Sequence, residues 1–323
     1  MTNDPLVSIL IPTYNRASLI SDAIESAIKQ TYNNIEIIIS DNNSEDNTEE
    51  ICKQYVGKDN RIKYYKQNQN IGLINNTNFL IEKVKGDFIV WLCDDDWLDK
   101  DYVEKCIKFL VKNPDYSFVS PRTILYKPNK KKIKTCDFIN LESKNIESRL
   151  ASFIKKFPFA DIATGVFRKK IIDEMFKTDN TFYKNRYGED SIFIIKYLFA
   201  GKGKIINSTH HNKRENGYTR DFYNTPKDVF DTTGITLENW DTKLGEIFIE
   251  SIINDNYYKQ YYSTPEKLIP IIKEATKNLI TYRSYKELIK YMIKHPFFIK
   301  RKAFYNYLYK FLRNKINEIY RAN

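Results

Sequence analysis

The chain has 323 residues, 42% hydrophobic and 29% charged, a balance that suits a folded domain with room for a substantial core. Its net charge is +11, but ten basic and two acidic residues between Tyr285 and Asn323 contribute +8 of it. The preceding 284 residues carry only +3, too little for a body that binds nucleic acid. The opening "MTNDPLVSILIPTYN" lacks a basic segment followed by a long apolar one, so no signal peptide is expected. No apolar run approaches the roughly 18 residues of a membrane-crossing helix. Cys52, Cys93, Cys106 and Cys136 show no CxxC spacing and read as reduced, mostly buried thiols of a cytoplasmic chain.

In chain order, "LVSILIP" (Leu6–Pro12) predicts a strand, and "ASLISDAIESAIKQ" (Ala17–Gln30) has helical spacing through Leu19, Ile20, Ala23, Ile24, Ala27 and Ile28. "IEIII" (Ile35–Ile39) predicts a second strand, and "EDNTEEICKQY" (Glu45–Tyr55) a second helix capped by Ser44. "IKYYKQ" (Ile62–Gln67) predicts a third strand, followed by a helix over Leu73–Lys85. "FIVWL" (Phe88–Leu92) is the fourth, followed by a helix over Asp101–Lys112 and the strand "YSFVS". This alternation predicts an α/β fold, a doubly wound, mainly parallel sheet with helices on both faces. Further on, "KPNKKKIK" (Lys127–Lys134) reads as an exposed basic loop or hairpin turn and "SRLASFIKKF" as a helix. "ATGVFRKKIIDEM" reads as a strand entering a helix, and "YGEDSIFIIKYLFAGK" as a loop entering a helix. After Thr225 the pattern is helical, polar and rich in Tyr.

Ligands of such sheets bind beyond the carboxyl ends of the strands. Three of those ends are polar here: "TYNR", "SDNNSEDNT" and "CDDDW". The last poses the sharpest problem. Adjacent carboxylates repel by roughly 4 kcal/mol at 4 Å and an effective dielectric of 20, so this turn is either solvated or neutralised by a cation. No GxGxxG follows the first strand, no GxxxxGK[ST] occurs, and the first loop has no glycine. A dinucleotide fingerprint, a P-loop and the glycine-rich loop of sugar nucleotidyltransferases are all missing.

"VSILIPTYNR", "IIISDNNSEDNT", "NIGLINNTN", "GDFIVWLCDDDW" and "YGED" resemble, in order and rough spacing, the family 2 glycosyltransferases of GT-A fold, over about residues 5–220. The resemblance implies an inverting transfer of sugar from a nucleotide-sugar, usually a UDP-sugar, with Mn²⁺ or Mg²⁺. It implies that Pro12, Thr13, Tyr14 and Arg16 lie against the nucleotide, that Asp41 accepts a hydrogen bond from uracil, and that Asn70 and Gly72 line the base and ribose. By residue type alone, Asp41 also suits a helix cap or turn. Where the family often has an arginine, this chain has Thr77. The family's metal motif is usually written Asp-x-Asp-Asp, and here its first position is Cys93. The resemblance assigns Asp94 to the ribose, Asp95 to the metal, and Asp96 to support of the metal or donor sugar. A solvated acidic turn is the plain alternative. Asp190 of "GED" matches the family's base, with Glu189 contacting acceptor or donor. Acidic residues also favour the first turn of a helix for electrostatic reasons alone. "THHNKREN" (Thr209–Asn216) matches a basic loop that closes on the diphosphate, with His211 completing the metal shell and Arg214 clamping phosphate. Its residues read nearly as well as a solvated polar loop. Gly165 resembles a tight acceptor-side turn, or a backbone requirement.

The expected organisation is a GT-A domain over residues 1–220 and a mostly helical extension over 221–323. Within the extension, "IKRKAFYNYLYKFLRNKINEIY" (Ile299–Tyr320) is a basic amphipathic helix. Such a helix suits an anionic membrane surface on the cytoplasmic side, or packs on the domain or on a second copy of the chain. The expected activity is addition of one sugar to a glycan or lipid-linked oligosaccharide acceptor in surface polysaccharide synthesis, with no QxxRW motif to suggest processive synthesis. The rivals are a non-catalytic module that binds sugar nucleotides or glycans, and a nucleic-acid-binding protein, against which the near-balanced charge of the main body counts.

Overall fold

The computed structural model describes residues 4–136, 139–154, 163–178 and 189–214, together with residue 270. The chain divides into Met1–Thr276 and Lys277–Asn323. The boundary expected near residue 220 and the basic helix expected over Ile299–Tyr320 lie outside the described residues.

Strands β1 (Val7–Thr13), β2 (Ile35–Asp41), β3 (Ile62–Lys66) and β4 (Phe88–Trp91) form the parallel half of one mixed sheet, in the order β3-β2-β1-β4. β1 and β2 are buried almost throughout, which is why they read as unbroken apolar runs. Helix α1 (Ile20–Ile28) presents Ile20, Ala23, Ile24 and Ala27 to this core. Helices α2 (Thr48–Val56) and α3 (Gly72–Lys83) make the next two crossovers.

Past β4 the sheet turns mixed. The short β5 (Trp97–Leu98) precedes helix α4 (Tyr102–Lys112), the long β6 (Tyr116–Tyr126) and its hairpin partner β7 (Lys132–Thr135). After helix α5 (Ile146–Ile154) come β8 (Val166–Arg168), α6 (Lys169–Thr178), α7 (Glu189–Ala200) and β9 (Lys202–Arg214). β8 runs antiparallel between β4 and β6, β9 lies parallel to β6, and β5 pairs antiparallel with β9 at the edge. Gly165 marks where β8 comes close to β6: a Cβ there would stand 2.7 Å from the Val119 carbonyl oxygen. Among the described residues its role is this close approach.

Three expectations need correction. "THHNKREN" is strand as far as Arg214, not loop; its polar side chains find partners in Asp99 and Asp101, so a polar segment can join the sheet. The second helix starts at Thr48, not Glu45, and Ser44 does not cap it but bonds Asp41. Of the four thiols, Cys52 and Cys106 are buried, whereas Cys136 is half-buried and Cys93 is exposed.

Candidate active site

β1 has β2 on one side and β4 on the other, so the strand order reverses across it. A crevice opens at that point beyond the strand ends. The register sets Thr13 beside Asp41, and Leu92 donates to the Leu10 carbonyl at 3.0 Å, which starts the acidic turn one step further along. The three polar strand ends foreseen from sequence therefore converge.

The first loop is braced by the second. Asn15, at φ 53°, donates its amide to Ser44 Oγ at 2.9 Å, and its Oδ1 accepts the Glu45 amide at 2.9 Å. The amides of Arg16 and Ala17 bond Thr48 Oγ1 and Asp46 Oδ2 at 2.9 and 3.0 Å. Much of "SDNNSEDNT" thus satisfies backbone groups of "TYNR". Tyr14 and Pro12 are half-buried beside them.

Asp41 is fully buried. The Ser44 amide and hydroxyl donate to its Oδ1 at 2.8 and 2.6 Å, and the Tyr64 hydroxyl donates to its Oδ2 at 2.6 Å. Asn70 accepts from Asn42 Nδ2 at 2.8 Å and from the Gly72 amide at 2.9 Å, while Asn42 Oδ1 accepts the Ile71 amide at 2.8 Å. Gly72 has φ 79°, a left-handed conformation that glycine adopts without strain. Asn76 ties α3 to the end of β2, accepting from Ser40 Oγ at 2.6 Å and donating to the Ser40 carbonyl at 2.9 Å. Tyr64, Asn42 and Asn76 were missed in the sequence. The repeated asparagines of "DNN" and "INNTN" were the available signal.

Asp94, Asp95 and Asp96 are all buried, which rules out a turn of solvated carboxylates. Asp94 Oδ1 lies 3.6 Å from Arg16 Nε. In strict hydrogen-bond geometry its Oδ2 and Thr13 Oγ1 find no partner, although the Thr13 hydroxyl is near enough to Asp94 to favour its charged form. Burial first, and the Asp95 charge second, push Asp94 up to about 7 against the pull of the Thr13 hydroxyl, Arg16 and the Tyr14 amide. Asp96 is held from β9: His211 Nε2 lies 3.0 Å from its Oδ2 and the Arg214 amide donates to its Oδ1 at 2.9 Å. A carboxylate accepts, so Nε2 carries the proton and His211 Nδ1 faces Thr123 Oγ1, 3.2 Å away. Both ring nitrogens are engaged, and His211 stands behind Asp96.

Arg214 is similarly committed. Its Nε donates to the Asp95 carbonyl at 3.0 Å, Nη1 to the Pro128 carbonyl at 3.3 Å and Nη2 to Asp22, and the guanidinium stacks 5.1 Å over Trp97. Asp22 and Trp97 carried no sequence signal for this. For Glu189 and Asp190 the structure gives the first turn of α7; their side chains lie outside the described residues.

Ligand atoms of Cys93, Asp95 and Asp96 lie within 4.8 Å of one another. Two buried carboxylates, Asp95 and Asp96, suit a hard divalent ion, so these residues fit Mn²⁺ or Mg²⁺. Cys93 does not break the cluster; it adds a thiol to it.

An open α/β sheet with a buried acidic turn at its switch point agrees with the GT-A fold that the motifs resemble. The profile of glycosyl transferase family 2 matches residues 8–176, more than half of the chain, and the chain belongs to that family. An uncharacterized glycosyltransferase of Haemophilus influenzae is 37% identical over 111 residues, 34% of this chain and 44% of that protein. The chain thus spans less than half the length of this curated relative. The Campylobacter jejuni GalNAc(5)-diNAcBac-PP-undecaprenol beta-1,3-glucosyltransferase is 29% identical over 199 residues, 59% of this chain and 63% of that one. Staphylococcus aureus TarS 1–349, solved with UDP-GlcNAc, superposes with a TM-score of 0.53 at 18% identity, covering 87% of this chain and 91% of its own. Mannosyltransferase PcManGT of Pyrobaculum calidifontis, solved with GDP-Man and Mn²⁺, does so with a TM-score of 0.50 at 13% identity, covering 96% and 86%. At these identities the two structures establish the fold. Among the described residues no helix is long and apolar enough to cross a membrane.

Proposed function

We propose that the chain transfers a single sugar, with inversion, from a UDP-sugar to a glycan or lipid-linked acceptor in surface polysaccharide synthesis. The observation that carries this reading is the buried run Asp94–Asp96 at the switch point, where Asp95 and Asp96 gather with Cys93. The nucleotide lies across the ends of β1 and β2, against Pro12, Thr13, Tyr14 and Arg16, with Asn70 and Gly72 beside the ribose and base. For a base N–H to reach Asp41, the Tyr64 hydroxyl that now covers its Oδ2 would have to swing aside. Asp94 takes the ribose hydroxyls.

Asp95 would hold a divalent ion together with Cys93 and Asp96, and His211 and the Arg214 amide fix Asp96. When bound, that ion offsets the charge gathering on the diphosphate leaving group as the sugar–oxygen bond breaks. The acceptor hydroxyl attacks the anomeric carbon from the face opposite the leaving group, and Asp190 takes its proton, a role worth typically 10²–10⁴-fold. Glu189 orients the acceptor or donor sugar. The Campylobacter relative's undecaprenyl-linked name and the UDP-GlcNAc and Mn²⁺ of the structural neighbours support this choice of partners.

The test is a panel of UDP-, GDP- and dTDP-sugars with Mn²⁺, scored by thermal shift and by release of nucleoside diphosphate. UDP-sugars should stabilise the wild-type chain, and Asp95→Asn should lose the metal-dependent part of that shift. Stabilisation without any release or transfer to acceptors would favour the non-catalytic module instead.

A further inference from the structure

We propose that the β6–β7 hairpin is a docking element for an anionic bilayer surface, set beside the acidic turn. The inference needs neither the donor reading nor the C-terminal tail. The turn is tight: the Lys127 amide donates to the Lys131 carbonyl, the Lys130 amide to the Lys127 carbonyl, both at 2.9 Å, and Lys130 has φ 59°. Five lysines fall between residues 127 and 134, all exposed. Lys130 alone is drawn inward, 2.8 Å from Asp22 Oδ1 and 5.3 Å over Trp97. Lys127, Lys131, Lys132 and Lys134 have no ion-pair partner among the described residues.

Charge alone would fit any polyanion. The choice of a bilayer comes from Ile133, which with Val56 is one of the two large hydrophobic residues exposed among the described residues. Leu125 pairs with Lys134 and the adjacent Tyr126 with Lys132, so Ile133 is the extra residue of a β-bulge, with no partner across the ladder. Bulges re-aim side chains, and this one holds an apolar residue among four free cations. Such a mixture suits the boundary between the headgroups and acyl chains of an anionic bilayer. A soluble phosphate gains nothing from the isoleucine. The hairpin is also pinned to the site: Arg214, which holds Asp95 and Asp96, donates to Pro128 in the turn, and Tyr126 packs on Trp97 at 5.0 Å. A bilayer touching these lysines therefore lies next to the acidic turn.

The experiment is co-flotation of the full chain with vesicles of 30% phosphatidylglycerol in phosphatidylcholine, and with phosphatidylcholine alone. The variants are Lys131→Gln/Lys132→Gln/Lys134→Gln and Ile133→Ser, with melting temperature as the control for folding. Partition into the anionic vesicles should fall at least tenfold in the triple variant and severalfold in Ile133→Ser, while the melting temperature stays that of wild type. Undiminished binding by the triple variant would overturn the proposal, since the tail would then suffice. So would equal binding to neutral vesicles.

Discussion

A buried carboxyl group such as Asp94 holds its proton more tightly in the folded chain than in the unfolded one. Its pKa moves from 3.8 to about 7, so the folded state binds the extra proton between those values. Stability therefore falls as pH rises through that window and levels off above it. Calorimetry of metal-free Asp94→Asn should show a melting temperature above wild type at pH 8, the gain shrinking to nothing near pH 4. Parallel pH profiles would mean the carboxyl is not strained. For Asp190→Asn, transfer should be abolished while UDP affinity stays near that of wild type; substantial remaining turnover would remove Asp190 from the role of base. Single residues also show where sequence reading stops. That Asp94–Asp96 needed something was legible from three adjacent charges after an apolar strand. That Arg214 spends its guanidinium on Asp22, Pro128 and Asp95 was not, because those groups meet only when α1, the hairpin and β9 pack.

Elements follow the same division. β1, β2, β4 and α1–α4 were readable because burial on both faces, or on one helical stripe, imposes a local pattern. β9 was hidden, since its polar side chains pair with Asp99 and Asp101 rather than with an apolar core. The parallel half carries its own buried network. Ser8 Oγ donates to Glu36 Oε1 at 2.6 Å, the Lys85 amide to the same oxygen at 2.8 Å, and Lys63 pairs with Oε2. Burial pushes Glu36 up, but Lys63, Ser8 and the Lys85 amide outweigh it and hold the group below its usual range. A lowered folded pKa gives stability above 4.5 that is lost as pH falls through the folded value. Glu36→Gln should accordingly be less stable than wild type at pH 7 and should lose less on acidification to pH 3. If urea midpoints of the two chains fall in parallel, the network does not carry that linkage.

At the scale of the whole molecule, ligand and fold are linked by mass action. At a hundredfold excess over Kd, a UDP-sugar with Mn²⁺ adds about 2.7 kcal/mol of stability, or several degrees of melting temperature. Chelation with EDTA should remove much of that gain and leave the ligand-free melting temperature unchanged. A nucleotide-induced shift indifferent to EDTA would detach the acidic turn from metal binding. Periodicity, strand-end polarity and motif order were enough to determine the α/β class, the family and most of the residues at the strand ends, because each is written over a short stretch of chain. Only the tertiary structure decided that Asp41 is closed by Ser44 and Tyr64, that His211 stands behind Asp96, that Cys93 joins the acidic cluster, and that Ile133 stands out among free lysines. Those outcomes depend on which distant groups compete for each hydrogen bond and where a ladder slips by one residue, and no local pattern records that competition.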